Sequence, residues 1–323
     1  MATYKGIKGF PIQNLSADPS NPIEGEMWYN STSNVWKVEE ITASGSWASG
    51  GPLNTARGGV GGAGTQTAAL VFGGSGPGPA LNSSEAYNGS TWSTTPSLNT
   101  ARKTPAGAGI QTAALAFGGE VPPDLNSTEI YNGSTWTTSP ATLNTARHLL
   151  GGVGNTSAAL AFGGQGPITG VTEEYNGTSW TNSNSLITAR SYLGGAGIQT
   201  AALAFGGNNT SFVSTAATEE YDGNSWTSSN NMNTARIGLA GSVNGTQTAA
   251  LGFGGSVPPA TGATEKYDGI SWATETSMST ARAILGGAGI QTAALAFGAG
   301  TPGNATEEFT GAGAAVTKTI TVS

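Results

Sequence analysis

The chain has 323 residues and a formal net charge of −7; only 10% of its residues are charged, whereas Gly occurs 51 times. This length can bury a substantial core, and the regularly placed aromatic residues argue against a disordered chain. The absence of a basic cluster excludes a typical nucleic-acid partner, and the absence of Cys excludes disulfides, thiolate metal sites and cysteine nucleophiles.

The first residues, MATYKGIKGF, lack the apolar core of a secretory signal peptide. No apolar run reaches the roughly 18 residues that a membrane-spanning helix needs. We therefore expect synthesis in a cytoplasm and no membrane insertion.

Residues 1–40 precede the repetitive part of the chain and are predicted to form an arm followed by a hairpin. The arm contains FPIQNL at 10–15, a Pro-rich loop covers 18–22, and residues 26–37 have the pattern of a hairpin whose turn is 30–34. The hairpin either attaches the protein to a partner or packs against the repeats.

A Thr-Ala-Arg motif then occurs six times, at spacings of 43 to 46 residues. Each copy is followed by a glycine-rich run, an apolar run that ends in Phe-Gly, and a loop of variable length. In five copies Glu-x-Tyr and then a Trp follow the loop. Such a period is typical of repeat architectures. The arginines are Arg57, Arg102, Arg147, Arg190, Arg236 and Arg282.

One period predicts four short strands. In the second copy these are the segment 103–109, then 112–117, 127–131 and 134–138, and the Asn132-Gly133 pair between the last two is a strong hairpin signal. Small residues in the first strands suit positions crowded around an axis, whereas Tyr and Trp suit the wider outer gaps. We therefore predict an all-β fold, a six-bladed β-propeller.

The order of motifs in residues 188–226, TAR, AGIQTAALAFGG, TEEY and SW, resembles the kelch repeat. The resemblance covers about residues 44–310 and implies a kelch-like propeller. The sixth copy departs from the pattern because Ala299 replaces the second Gly of its doublet, and Phe309 replaces its Tyr with no Trp after it.

The incomplete sixth copy raises the question of how the ring closes. Trp47 stands ten residues before Arg57, the spacing also found from Trp92 to Arg102, so 44–49 is predicted to supply the outer strand of the last blade. The alternating segment 315–323 is a competitor for the same place. The predicted domains are accordingly 1–40 and a propeller at 41–323, closed by N- and C-terminal strands.

Each repeat also carries one glutamate two residues before its Tyr or Phe. We expect each glutamate to pair with an arginine of its own or the adjacent blade and to fix the register between blades. The alternative is a ring of charges around a central channel. The glutamates are Glu85, Glu129, Glu173, Glu219, Glu265 and Glu307.

The sequence predicts no catalytic, cofactor or metal site. Kelch-type copper oxidases need several histidines and a cysteine, whereas this chain has His148 alone, which is interpreted as an ordinary loop residue. Residues 59–64 satisfy G-x-G-x-x-G but precede no predicted helix, so the repeat geometry explains these glycines better than a nucleotide site does.

The loops between the second and third strands vary most and are the candidate binding surface. Unconstrained drift of these loops is the alternative interpretation. The candidate residues are Val121, Pro122, Asp124, Asn209, Phe212, Val257 and Pro258.

Residues 1–40 resemble the N-terminal segments of structural and fibre proteins of tailed bacteriophages, marine ones in particular. This resemblance implies a non-enzymatic virion protein, such as a tail fibre, that contacts other virion proteins through its arm and forms a homo-oligomer on the particle. Its loops would then bind a host-surface glycan or protein. A capsid- or tail-bound decoration protein without a receptor role is the alternative, and a carbohydrate-active enzyme is a more distant one.

Overall fold

The computed structural model describes residues 13–19, 26–41, 44–76, 78–298, 303–312 and 315–320. All regular elements in these ranges are β-strands, so the all-β prediction is confirmed. The same ranges contain no helix with the length and apolar character needed to cross a membrane. The chain divides into two units, unit 1 with residues 1–46 and 310–323, and unit 2 with residues 47–309.

The strands of the first half of the chain are β1 (Gln13–Leu15), β2 (Met27–Asn30), β3 (Val35–Ile41), β4 (Ser46–Gly50), β5 (Gly61–Gly64), β6 (Ala69–Phe72), β7 (Ser84–Tyr87), β8 (Trp92–Thr95), β9 (Ala106–Ile110), β10 (Ala113–Phe117), β11 (Thr128–Tyr131), β12 (Trp136–Thr138), β13 (Gly151–Gly154) and β14 (Ala159–Phe162). Those of the second half are β15 (Thr172–Tyr175), β16 (Trp180–Ser183), β17 (Gly194–Ile198), β18 (Ala201–Phe205), β19 (Thr218–Tyr221), β20 (Trp226–Ser229), β21 (Ala240–Gly241), β22 (Ala250–Phe253), β23 (Thr264–Tyr267), β24 (Trp272–Glu275), β25 (Gly286–Ile290), β26 (Ala293–Phe297), β27 (Thr306–Thr310) and β28 (Ala315–Ile320).

Unit 1 contains one four-stranded sheet in the order β1-β2-β3-β28. β2 and β3 form the expected antiparallel hairpin, and β1 pairs with β2 in parallel. Asp18 accepts hydrogen bonds from the Trp28 indole at 3.0 Å, the Asn30 amide at 2.8 Å and the Lys37 ammonium at 2.5 Å. These bonds, the one from Lys37 first, lower the pKa of Asp18 to about 2 and fasten the loop after β1 to the hairpin.

Unit 2 contains six sheets of four strands, one for each repeat. In the first five sheets consecutive strands run antiparallel, and the third and fourth strands meet in a tight hairpin. In the second sheet the Asn132 side chain accepts from the amides of Ser134 and Thr135, both at 2.9 Å, and Gly133 has a φ of 90°. The Asn-Gly pair thus marks the hairpin, but the loop has the four residues 132–135 and only Gly133 of the pair has a positive φ.

The core lies between neighbouring sheets, and the glycines of the first strands make it possible. A Cβ on Gly107 would lie 2.3 Å from the carbonyl oxygen of Gly62 in the preceding sheet, and one on Gly151 would lie 2.3 Å from the Phe162 ring. Only a residue without a side chain allows this approach. Away from these first strands, Trp180 packs on Phe117 of the preceding sheet, with ring centroids 4.9 Å apart.

The six repeats are joined in a cycle. The first strand of each sheet contacts that of the next, and β25 of the last sheet contacts β5 of the first. The backbone amide of the residue two positions after each arginine donates a hydrogen bond to the carbonyl of the equivalent residue in the preceding repeat, at 2.7 to 3.2 Å. The bond from Gly59 to Ile284 joins the first repeat to the sixth. The residues are Gly59, Thr104, Leu149, Tyr192, Gly238 and Ile284. Repeated four-stranded sheets in this arrangement fit a β-propeller.

The sheet of the sixth repeat has the order β25-β26-β27-β4, so the segment around Trp47 supplies its fourth strand. Trp47 packs on Phe253 and Phe309 with ring centroids 5.2 and 5.1 Å apart, as the tryptophans of the other repeats pack on theirs. The C-terminal strand β28 instead pairs antiparallel with β3 in unit 1. The structure thus places 315–320 outside the predicted 41–323 domain, because the edge of the last sheet is already occupied. Residues 321–323 lie outside the described residues.

Candidate functional site

The loops between the second and third strands emerge on the same side of unit 2 as the linkers that follow the arginines, and we call this side the loop face. Each loop begins beside the linker of its own repeat, through isolated bridges such as Lys103 to Glu120, His148 to Gln165 and Ser191 to Asn208. The loop face therefore combines the most variable segments of the chain with a regular hydrogen-bonded base.

The arginine–glutamate pairs fasten this base from inside. The Arg102 guanidinium donates to Glu129 at 2.7 Å and to the carbonyls of Gly118 and Ser127 at 2.9 and 3.0 Å. All six arginines are paired in this way, each with the glutamate of its own repeat, and none is more than 3% exposed. Burial lowers the pKa of each arginine, and the paired glutamate opposes that shift. The charges are thus buried in pairs and do not form an open ring.

The pairs lie within repeats, which is one of the two arrangements that the sequence predicts. The glutamate nevertheless acts on the connection between two sheets. Glu129 also accepts from the amides of Asn99 and Thr100, at 2.7 and 3.1 Å, in the linker that arrives from the preceding sheet. The side-chain amide of Asn99 in turn donates to the Trp136 carbonyl at 3.1 Å. Each carboxylate therefore anchors a linker to the sheet that follows it.

The loop residues singled out from the sequence lie on the loop face, and several are exposed. Val121 is 38% exposed, Val257 is 44% exposed and Phe212 is 69% exposed; the neighbouring Pro122 and Pro258 are also exposed. Exposed apolar side chains also occur outside these loops, such as Ile198 at 57% and Ile270 at 70%, so exposure alone does not mark a contact surface.

Asn209 has a local structural role beside Phe212. Its side-chain oxygen accepts from the amides of Ser211 and Val213 at 3.0 and 3.1 Å, and its carbonyl accepts from the amide of Phe212 at 2.9 Å. Phe212 has a φ of 58°, in the left-handed region that non-glycine residues rarely adopt. The turn thus holds the phenyl ring outward at a backbone cost.

Phe212 lines two cavities on the loop face. One has a volume of about 480 Å³ and is also lined by His148, Gln165 and Thr210. The other has a volume of about 750 Å³ and is also lined by Tyr192 and Asn208, together with residues of the fifth and sixth repeats. Volumes in this range suit a small ligand or part of a larger one.

Asp124 lies in a cluster that sequence reasoning missed. Asp124 Oδ1 is 2.8 Å from His148 Nδ1, and Glu120 Oε2 is 3.2 Å from His148 Nε2. The three side chains are 14% to 30% exposed. Tyr192 lies in the electric field of this cluster. Burial is the main cause that raises the pKa of Tyr192, and the charge of Glu120 raises it further. Glu120 and Asp124 come from one repeat and His148 from the next, so only the packing of repeats brings them together.

The glycine-rich segment 59–64 has a structural role in the first repeat. Residues 61–64 are strand β5, and Gly59 is one member of the hydrogen-bonded cycle. The segment therefore lacks the helix that would follow a dinucleotide-binding loop. No protein-family model matches the chain, and no curated protein matches its sequence. The interpretation of function thus rests on the residues themselves.

Proposed function

We propose that the chain is a non-enzymatic structural protein of a bacteriophage virion, in which unit 2 forms a six-bladed kelch-like propeller and the loop face binds the host surface. In this proposal the protein is made in the host cytoplasm, and residues 1–40 contact other virion proteins or order a homo-oligomer on the particle. The N-terminal resemblance to tailed-phage proteins supports this location.

The kelch-like propeller is supported by the repeat pattern and by the cycle of six hydrogen bonds. The amide of Gly59 bonds to Ile284, the corresponding residue of the sixth repeat, at 2.9 Å. Across the same junction the Trp92 indole donates to Thr306 at 3.0 Å. These contacts connect the first repeat to the last as each other repeat is connected to its neighbour.

The observation that carries the binding function is the position of Phe212. A strained turn holds this ring 69% exposed beside two cavities, on a base that buried ion pairs make rigid. An exposed aromatic ring next to hydroxyl and amide groups suits a sugar, because the apolar face of the sugar packs on the ring and its hydroxyls bond to the polar groups. We therefore propose a host-surface glycan as the ligand, with a surface protein as the alternative.

The test is a glycan array probed with the full chain and two variants. Phe212→Ala removes the exposed ring on the loop face, whereas Ile270→Ala removes a side chain that is 70% exposed at a hairpin on the opposite face. We expect binding by the wild-type chain and by Ile270→Ala, and at least ~10-fold weaker binding by Phe212→Ala. Asp124→Ala tests the second cluster of candidate residues in the same way.

The other outcomes separate the competing functions. Absence of glycan and host-cell binding, with the protein present on purified particles, would favour a decoration protein without a receptor role. Release of sugar products from a bound polysaccharide would favour a carbohydrate-active enzyme. Equal binding by Phe212→Ala and the wild-type chain would contradict the assignment of the site.

A further inference from the structure

We propose that Glu120, Asp124 and His148 form a binding site for a divalent transition-metal ion such as Zn²⁺ on the loop face. Each residue offers one ligand atom, and the three atoms lie within 4.8 Å of one another. Ligands of one zinc ion are each about 2.0–2.2 Å from the metal. An ion on His148 Nδ1 would lie next to Asp124, and Glu120 would have to turn toward it from its place beside Nε2. Imidazole and carboxylate ligands together suit a first-row transition metal.

The hydrogen-bond geometry of the imidazole supports the metal site. A protonated His148 between two carboxylates would donate a well-aligned hydrogen bond from each ring nitrogen. Nδ1 is buried and, among the described residues, has no hydrogen bond, although Asp124 Oδ1 is only 2.8 Å away. A buried nitrogen beside the Asp124 carboxylate and without a hydrogen bond is an arrangement that a cation on that nitrogen would complete.

The placement of these residues is a local departure from the repeat. His148 is the single histidine of the chain, and Glu120 and Asp124 are the acidic residues in the six loops between second and third strands. Both carboxylates lie within ion-pairing distance of that one histidine across the junction of two repeats. The repeat geometry alone does not explain this coincidence, since the other five loops carry no carboxylate.

The fifth repeat contains a loop with the same backbone pattern and none of the ligands. The segments EVPPD at 120–124 and SVPPA at 256–260 have the same length, and the first and last residues of each form an isolated bridge. Ala283 follows its arginine as His148 does, and it lines one cavity with Ser256 and Ala260. The loop therefore forms without Glu, Asp or His at these positions, which removes a purely structural reason for having them at 120, 124 and 148.

This internal copy supplies both arms of a test on the full chain. The triple variant Glu120→Ser, Asp124→Ala, His148→Ala gives the first site the residues of the copy, and the triple variant Ser256→Glu, Ala260→Asp, Ala283→His gives the copy the ligands. Zn²⁺ titration by calorimetry should give one equivalent for the wild-type chain, at least ~10-fold weaker affinity for the first variant, and a second equivalent for the second variant. Zinc binding that is unchanged in the first variant would overturn the proposal.

Nitrogen NMR of the single histidine reports on the same site through the ligand atom itself. In a ¹⁵N-labelled chain every imidazole signal belongs to His148, so no assignment is needed. We expect one ring-nitrogen resonance to move on addition of Zn²⁺ while the other remains that of a protonated nitrogen. Two protonated nitrogens that do not respond to Zn²⁺ would show an imidazolium paired with two carboxylates and would overturn the proposal.

Discussion

The amide of Gly59 donates a hydrogen bond to the carbonyl oxygen of Ile284 at 2.9 Å, and this bond joins the first repeat of unit 2 to the last. The Gly59 carbonyl in turn accepts from Thr104 at 2.7 Å in the next repeat. Four of the six residues in this cycle have side chains at a positive φ, between 47° and 58°. The closed cycle thus holds a conformation that an isolated segment would avoid.

The junction between the first and second sheets lacks a hydrogen bond that the other five junctions have. Elsewhere each tryptophan donates its indole nitrogen to a threonine of the preceding sheet at 2.9 to 3.1 Å, as Trp180 does to Thr128. At this junction the residue is Ser84, and both its hydroxyl and the Trp136 indole nitrogen are buried without a hydrogen bond. The second branch of threonine restricts the rotamer, whereas serine rotates freely.

Ser84→Thr should therefore stabilise the protein by about 1 kcal/mol, the net value of a hydrogen bond restored to a buried donor. Urea unfolding measures the change. Thr128→Val is the matched control, because it leaves the Trp180 nitrogen unsatisfied and should destabilise by about 1–3 kcal/mol. An unchanged or lower free energy of unfolding for Ser84→Thr would contradict the account that the missing hydrogen bond weakens this junction.

Arg102→Ala tests the buried ion pairs and should destabilise the protein by about 3–5 kcal/mol, since it leaves the Glu129 carboxylate buried without its cation. Adding Glu129→Gln removes that charge, and its single amide oxygen can keep one of the two linker bonds, since the backbone amides of Asn99 and Thr100 donate to different oxygens of Glu129. The double variant should therefore be more stable than Arg102→Ala alone. Equal or lower stability of the double variant in urea unfolding would contradict the account of an uncompensated charge.

Three buried tyrosines predict a loss of stability at alkaline pH. Burial, and a carboxylate that accepts from each hydroxyl, raise the pKa of Tyr87, Tyr221 and Tyr267 to about 12. An unfolded tyrosine titrates near pH ~10, so the folded state holds these protons more tightly. The contribution is fully present below about pH 10 and is lost as the pH rises toward about 12.

Tyr267→Phe removes one of these protons and should reduce the fall in unfolding free energy above about pH 10. The measurement is urea unfolding at a series of alkaline pH values, with the slopes of the variant and the wild-type chain compared. A variant with the same slope would show that Tyr267 does not contribute to the alkaline transition.

The regular part of the fold could be read from the sequence because each signal is local. The Asn132-Gly133 pair marks its hairpin, and small residues such as Gly107 show where backbones approach closely. The phase of Trp47 likewise predicted its strand in the sixth sheet. The sequence did not predict which strand residues 315–320 pair with, because an alternating segment can pair with any free sheet edge. In the structure they pair with the edge of β3 in unit 1.

Contacts between repeats were harder to predict than contacts within them. The recurrent glutamine of the IQT motif was a readable signal, since Gln111 donates to two carbonyls of the preceding sheet at 2.5 and 3.0 Å. The approach of His148 to Glu120 and Asp124 had no such signal. It depends on how the loop of one repeat lies against the linker of the next, and that register is set by packing.

The central claim is that six repeats form a closed ring that carries the loop face. Amide hydrogen exchange at Gly59, compared with Gly238, tests it most directly. Both are glycines at the same position of their repeats, and each donates to the preceding repeat at 2.9 Å. A closed ring predicts that both amides are strongly protected and exchange at similar rates. An open array leaves Gly59 without a preceding repeat, so rapid exchange at Gly59 with slow exchange at Gly238 would contradict the claim.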